Sequence, residues 1–263
     1  MKKIRLDLLL TQKGLTPSRE KAQALVLAGQ VLVEGEPAVK PGQLVSSESD
    51  IAIREAFPYV SRAGAKLEQA LKTFKIKVQN KIALDVGVST GGFTDCLLQF
   101  GARKVYAVDV NIKQLDWKLR QDPRVVAIQK NARYLQSVDL PETPDIGVID
   151  VSFISILKIL PAVKAIMPFG EVLALIKPQF EAVRHQVGKK GIIRERRVHQ
   201  EVLEDVLSQV QRLGFGFKGL LACTTLGQKG NQEFLAWFKP GLEGLSGDDL
   251  RKIIQEILPD ENN

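Results

Sequence analysis

The sequence predicts an α/β protein: a mostly parallel, seven-stranded sheet covered by helices, preceded by a small α+β module. Three observations carry this reading. Strand and helix signals alternate through residues 60–240. A glycine-rich turn, Asp85-Val-Gly-Val-Ser-Thr-Gly-Gly-Phe-Thr94, follows directly on the apolar run Ile82-Ala-Leu84. Residues 4–56 break the alternation with two short helical stretches and brief strands. A chain of 263 residues, 44% hydrophobic, has room for one mid-sized domain and one small module.

In the first module, Leu6, Leu8, Leu9 and Leu10 form a short apolar helix ended by Gly14. Ser18 is the expected N-cap of a second helix, Arg19 to Ala28, which Gly29 terminates. Short strands follow at Val31–Val33 and Ile51–Ile53, with Glu34-Gly-Glu-Pro37 as a turn. In the larger unit, strands are expected at 81–86, 104–109, 124–128, 145–151 and 170–176, and helices at 62–74, 93–100, 113–120, 155–166 and 197–213. Residues 216–224 and 233–238 fit a reversed hairpin at the sheet edge, and 246–258 an amphipathic helix on the exterior. The expected division is therefore 1–58, 59–245, and a C-terminal helix and tail at 246–263.

Composition narrows the classes of function. The net charge of +7 is concentrated in two patches. Residues 59–82 hold Arg62, Lys66, Lys72, Lys75, Lys77 and Lys81 against Glu68, and residues 184–197 hold Arg184, Lys189, Lys190, Arg194, Arg196 and Arg197 against Glu195. Such patches favour a nucleic-acid partner, contacted by residues such as Arg62, Lys189, Lys190 and Arg194. Cys96 and Cys223 lack metal-ligand spacing and read as reduced, buried thiols; no metal is expected. Met1-Lys-Lys-Ile-Arg-Leu-Asp7 lacks the apolar core of a signal peptide, and no apolar run approaches the roughly 18 residues of a membrane span. The expectation is a cytoplasmic protein with no membrane association and no obligate protein partner.

The glycine turn reads D-x-G-x-S-x-G-G rather than G-x-G-x-x-G, with Asp109 closing the next strand. It suits S-adenosylmethionine better than a dinucleotide, because the sulfonium ligand has no pyrophosphate to seat. Four polar residues should meet at the same rim: Lys66 in the preceding helix, Asp150 after Ile146-Gly-Val-Ile149, Lys177 after Val172-Leu-Ala-Leu-Ile176, and Glu233 after the turn 227–231. A lysine ending a buried strand needs a compensating charge, and Asp150 can provide it. This set suits a ribose 2′-hydroxyl as methyl acceptor, with Lys177 nearest the base role, Lys66 second, and the carboxylates positioning them. Read singly, each residue has a plainer role: Lys66 on a basic surface, Glu233 in an edge strand, Asp150 as a helix cap, although Ser152 would cap a helix over 152–166 better.

Two resemblances extend the reading. Arg5-Leu-Asp7, Gly14-Leu15, Ser18-Arg19, Ala22, Gly29-Gln-Val31, Val33, Gly35, Lys40-Pro41 and Asp50-Ile51 resemble the S4 RNA-binding domain, which implies Arg5, Arg19 and Lys21 as RNA contacts. Tyr59-Val-Ser-Arg-Ala-Gly-Ala-Lys66, Asp85 to Asp95, Asp116 to Arg124, Asp150-Val-Ser-Phe-Ile154, Lys177-Pro-Gln-Phe-Glu181, Val187 to Ile192, His199 and Lys229 to Glu233 are similar to the hemolysin A-like (TlyA) family. Those proteins join an S4 domain to an FtsJ-like methyltransferase domain of Rossmann-like fold. The resemblance implies S-adenosyl-L-methionine-dependent 2′-O-methylation of ribosomal RNA, at cytidine, on ribosomal subunits. It implies a catalytic set of Lys66, Asp150, Lys177 and Glu233, and cofactor contacts from Asp85, Gly87, Ser89, Gly91, Gly92, Phe93, Thr94 and Asp109. The chain departs from the family after Asp109, with Val110-Asn-Ile-Lys113, and before Asn131, with Ile128-Gln-Lys130. Those departures keep a non-catalytic rRNA-binding or assembly factor open as an alternative; membrane pore formation is a distant third.

Overall fold

The computed structural model describes residues 3–27, 30–53, 58–188 and 191–258. The chain divides into two compact units, Met1–Phe57 and Pro58–Asn263.

In the first unit, β1 (Lys3–Arg5) runs into α1 (Leu6–Gln12), followed by α2 (Arg19–Leu27), β2 (Val31–Val33), β3 (Glu36–Pro37), β4 (Leu44–Ser46) and β5 (Ile51–Ile53). Ser18 caps α2 as expected, its Oγ accepting the Lys21 N–H at 3.2 Å. Strand β2 is flanked by β3 and β5, and β1 pairs antiparallel with β4. The β1–β4 pair lay outside the sequence expectation: three-residue strands are too short for alternation to show. Leu6, Leu9, Leu10, Ala22, Val26, Val31, Val45 and Ile51 form the core.

The second unit contains α3 (Arg62–Thr73), β6 (Ile82–Val86), α4 (Gly92–Gln99), β7 (Lys104–Asp109), α5 (Trp117–Gln121), β8 (Val125–Gln129), β9 (Ile146–Ile149), α6 (Leu160–Ile166), β10 (Glu171–Ile176), α7 (Pro178–Glu181), α8 (Arg196–Arg212), β11 (Phe215–Ala222), β12 (Phe234–Pro240) and α9 (Gly247–Ile257). The seven strands order as β11-β12-β10-β9-β6-β7-β8. Five, β6 to β10, are joined by parallel pairing, and β12 runs antiparallel to both β10 and β11, which is the expected reversed hairpin. From β6 the chain steps outward through β7 and β8, then returns to the other side of β6 as β9. The order therefore switches between β6 and β9, where open α/β sheets place their ligands.

Alternation along β6 shows why both faces are covered. Ile82, Leu84 and Val86 join a core with α6, α8 and α9, while Ala83 joins the opposite core with α3 and α4. Leu250, Ile254 and Leu258 bury α9 and its end in the first of these cores, so the C-terminal helix is part of the second unit. Two expected helices are shorter than their periodicity implied. Residues 112–114 form a 3-10 turn before α5, because the Asp116 carboxylate accepts the Lys118 N–H at 2.9 Å and restarts the helix. Residues 156–158 form another before α6, and Ser155, not Ser152, caps it by accepting the Leu157 N–H at 3.1 Å. Cys96 and Cys223 are free and buried.

Candidate active site

Register brings the polar rim together. Val86 pairs with Ile149 and Ile176 with Phe234, so Gly87 stands beside Asp150, and Lys177 beside Glu233, just past the strand ends. Gly87 holds φ +85°, and a Cβ there would lie 2.4 Å from the Asp150 carbonyl oxygen; only glycine lets the turn sit against β9. A Cβ on Gly92 would lie 2.1 Å from Ser61 Oγ, so that glycine lets the start of α3 approach the start of α4. Lys66 is carried in on the inner face of α3 between Gly64 and Leu67 and is only 7% exposed.

The expected four residues form two lysine–carboxylate pairs. Lys66 Nζ donates to Glu233 Oε2 at 2.5 Å, and Lys177 Nζ lies 2.6 Å from Asp150 Oδ1. Both pairs line one cavity of about 240 Å3, together with Ser61, Arg62, Ser89 and Thr90. Two further groups hold the pairs, in roles that the sequence reading does not assign them. Lys177 also bonds Ser152 Oγ at 3.0 Å, and Gln179 Nε2 donates to Glu233 Oε1 at 3.3 Å. Each lies two residues beyond a catalytic candidate, Asp150 or Lys177, which was a readable signal. Glu181, four residues past Lys177, accepts the Ile156 N–H at 2.8 Å and ties the segment after Lys177 to the segment after Asp150. Phe153, exposed with φ +63°, packs against Phe180 at 4.9 Å between ring centroids.

A second cavity, of about 460 Å3, adjoins this one and shares Ser89, Asp150 and Ser152 with it. Its walls include Gly87, Asp109, Val110, Gln114, Lys130 and Asn131. Asp109 braces the glycine turn: Oδ2 accepts the N–H of Ser89, which is held in the left-handed region at φ +48°, and Oδ1 accepts the Asn111 N–H. A smaller recess beneath the turn is lined by Asp85, Gly87, Ser89, Gly92 and Phe93. Asp85 is fully buried, its Oδ2 accepts the Thr94 hydroxyl at 2.6 Å, and its Oδ1 has no hydrogen-bond partner among the described residues. Burial pushes this carboxyl up to about 7, against the opposing Thr94 hydrogen bond.

Most of the expected cofactor residues therefore surround one connected space. Gly91 and Thr94 do not reach its walls. A Cβ on Gly91 would strike Leu119 Cδ1 at 2.3 Å, so that residue seats the turn on α5, while Thr94 is buried behind Asp85. The departure at Lys130 is absorbed locally, because its Nζ is held by Asp139 at 2.6 Å. Of the RNA candidates, Arg62 is exposed on the wall of the lysine cavity, Lys21 and Arg194 are exposed, and Arg5 and Arg19 are half-exposed. Lys189 and Lys190 lie outside the described residues.

A parallel sheet with a reversed edge hairpin and its cavities at the switch point is the architecture of a methyltransferase-type enzyme, here preceded by a small α+β module. Residues 59–240 match the FtsJ-like methyltransferase family and residues 4–51 the S4 domain. The chain belongs to the FtsJ-like methyltransferase family. It is 44% identical to the protein named "Putative rRNA methyltransferase YqxC" of Bacillus subtilis, over 97% of this chain and 94% of that one. It is 38% identical to the 16S/23S rRNA (cytidine-2′-O)-methyltransferase TlyA of Mycobacterium tuberculosis, over 90% of each chain. A solved structure, "Putative hemolysin from Streptococcus thermophilus", superposes with TM-score 0.75 at 43% identity, covering 98% of this chain and 96% of that one. Among the described residues no helix is long and apolar enough to cross a membrane.

Proposed function

We propose that this enzyme transfers a methyl group from S-adenosyl-L-methionine to a ribose 2′-hydroxyl of ribosomal RNA, at a cytidine, in the cytoplasm. One observation carries the reading: two lysine–carboxylate pairs line a cavity that adjoins the glycine-turn cavity. The named activities of the curated relatives support the choice of rRNA and of cytidine.

The residues fit the cofactor. The unpartnered, buried Asp85 Oδ1 suits a cationic group, and the Asp109 carboxylate, with lone pairs left beyond its two backbone bonds, suits ribose hydroxyls. When bound, S-adenosylmethionine supplies a methyl group on a sulfonium sulfur. Lys177, acting as the neutral amine, holds the acceptor hydroxyl and takes its proton at Nζ to become the ammonium, and Asp150 and Ser152 fix the direction of that nitrogen. Lys66, fixed by Glu233, orients the ribose from the other side of the cavity.

The test is to incubate the protein with small and large ribosomal subunits and labelled cofactor, then map the product by mass spectrometry. The expected product is a ribose-methylated cytidine; a base-methylated nucleotide overturns the acceptor assignment. Lys177→Ala is expected to lower the transfer rate by roughly 10²–10⁴-fold, and Lys66→Ala by a comparable factor, with cofactor binding by calorimetry retained. Turnover at the unmodified rate in both variants refutes the roles given to the lysines. A protein that binds subunits but takes up no cofactor at millimolar concentration is a binding factor instead.

A further inference from the structure

Three segments of the S4 unit converge on one carboxylate. Asp7, in the first turn of α1, is fully buried. Its Oδ1 accepts Arg5 Nε and the Leu8 N–H, both at 3.0 Å. Its Oδ2 accepts Arg5 Nη2 at 2.8 Å, Arg19 Nε at 3.0 Å and Gln23 Nε2 at 2.9 Å. Arg5 comes from β1, while Arg19 and Gln23 stand one turn apart on α2.

Burial falls on the acid and not on its cationic partners. The Arg5 and Arg19 side chains remain 43% and 45% exposed while Asp7 is at 0%. Arg19 meets the carboxylate through Nε alone, and Arg5 through Nε and Nη2. Among the described residues no hydrogen bond uses Arg5 Nη1 or either Nη of Arg19. The Arg5 guanidinium is backed by Gly42, where a Cβ would come within 3.1 Å of both its Nη atoms. Both arginines are thus held by one edge with donors left over and water on the other side. A long cation fixed before its ligand arrives loses little rotamer freedom on binding, and a guanidinium matches phosphate geometry.

We propose that Asp7 is a positioning residue for RNA: it holds Arg5 and Arg19 as a preset pair of guanidiniums that take backbone phosphates, without meeting the RNA itself. The inference rests on the reading of this protein as an enzyme acting on RNA. The Arg5 hydrogen bonds, opposed by burial and joined by those of Gln23 and Arg19, hold the Asp7 carboxyl far below the usual carboxylate range, so the clamp is charged throughout the neutral range.

The sign of one measurement separates positioning from plain electrostatics. Asp7→Asn makes the chain one unit more positive, which by charge alone tightens RNA binding. Positioning demands the reverse, because the new amide turns an N–H toward a guanidinium. The probe is a fluorescently labelled RNA stem-loop, titrated by anisotropy with full-length protein at several salt concentrations. Asp7→Asn is expected to weaken binding about tenfold and to reduce the slope of log K against log salt by roughly one to two contacts. Glu20→Gln, which removes an exposed acid from α2, should leave binding equal or tighter. Arg19→Lys keeps the charge on a half-exposed side chain that does not risk the fold, and should lose severalfold affinity and about one unit of slope. Asp7→Asn binding as tightly as the unmodified protein with an unchanged slope overturns the inference, as does Arg19→Lys behaving like the unmodified chain. If the unmodified protein shows no salt-dependent RNA binding, the RNA reading itself fails.

Discussion

The two units each bury an aspartate completely, and they treat it in opposite ways. Asp7 receives five hydrogen bonds, and its carboxyl is held below the ordinary range. Asp85 receives the Thr94 hydroxyl on one oxygen, has no partner on the other among the described residues, and is pushed up to about 7 by burial. A buried carboxylate with every lone pair met fixes its neighbours; one left half-met is destabilising until something arrives to complete it. The difference teaches that burial alone does not mark a ligand site. The unsatisfied atom beside a cavity does, and Asp85 has it where Asp7 does not.

The contrast implies stability changes of opposite sign. Asp7→Ala strips partners from the Arg5, Arg19, Gln23 and Leu8 donors in a unit with a small core, and should cost about 1–3 kcal/mol, the largest change expected in this set. Calorimetry should show an earlier transition for the first unit. Asp85→Asn should do the reverse in the ligand-free protein at pH 8, raising the transition of the second unit by several degrees. The Asp85 carboxyl is higher in the folded chain than the ordinary value of 3.8, so the folded state holds the extra proton between about 4 and 7. Stability therefore falls as pH rises through that window, and the Asn variant escapes the fall. Equal melting of the Asn variant and the unmodified protein at pH 8 would show that Asp85 carries no such penalty.

The same group predicts a smaller, functional effect. Cofactor affinity should rise with pH toward a plateau above about 7, as Asp85 becomes the carboxylate that a cation completes. In Asp85→Asn the affinity should be weaker by roughly tenfold and flat across the window. Titration calorimetry at intervals from pH 5.5 to 8.5 checks both. An unmodified protein whose affinity does not change with pH places the cation elsewhere in the recess.

Much of this was legible in the sequence, for definite reasons. The five parallel strands show as apolar runs because both faces of the sheet are covered, and Lys66, Asp150, Lys177 and Glu233 show as charged residues where an apolar run ends or a helix faces inward. What periodicity could not show depends on partners distant in sequence. The β1–β4 pair joins residues some 40 positions apart, and Pro161 and Ser155 divide a helix that Leu157, Leu160 and Val163 alone would have made continuous. The unpartnered Asp85 oxygen was unreadable for the same reason. The pattern places an acid before the glycines, but only the packing of α4 decides that Thr94 reaches one oxygen and no other described residue reaches the second.

The smallest expected effect concerns a third carboxylate, the partner of Lys130 on the wall of the larger cavity, and limits how far the contrast extends. Asp139 holds Lys130 at 2.6 Å, and this bond draws its carboxyl below the usual range, yet both side chains are partly in water. If burial gives Asp7 its weight, an ion pair as short as those of Asp7 but partly open to solvent should contribute little, since the lysine can exchange the carboxylate for water at small cost. Lys130→Ala should therefore move the melting transition by no more than about 1 °C, and the shift should vanish in half-molar salt. A drop of several degrees that survives high salt would mean that hydrogen-bond count, and not burial, sets the worth of these acids. Asp7 and Asp85 would then differ only in how many donors reach them.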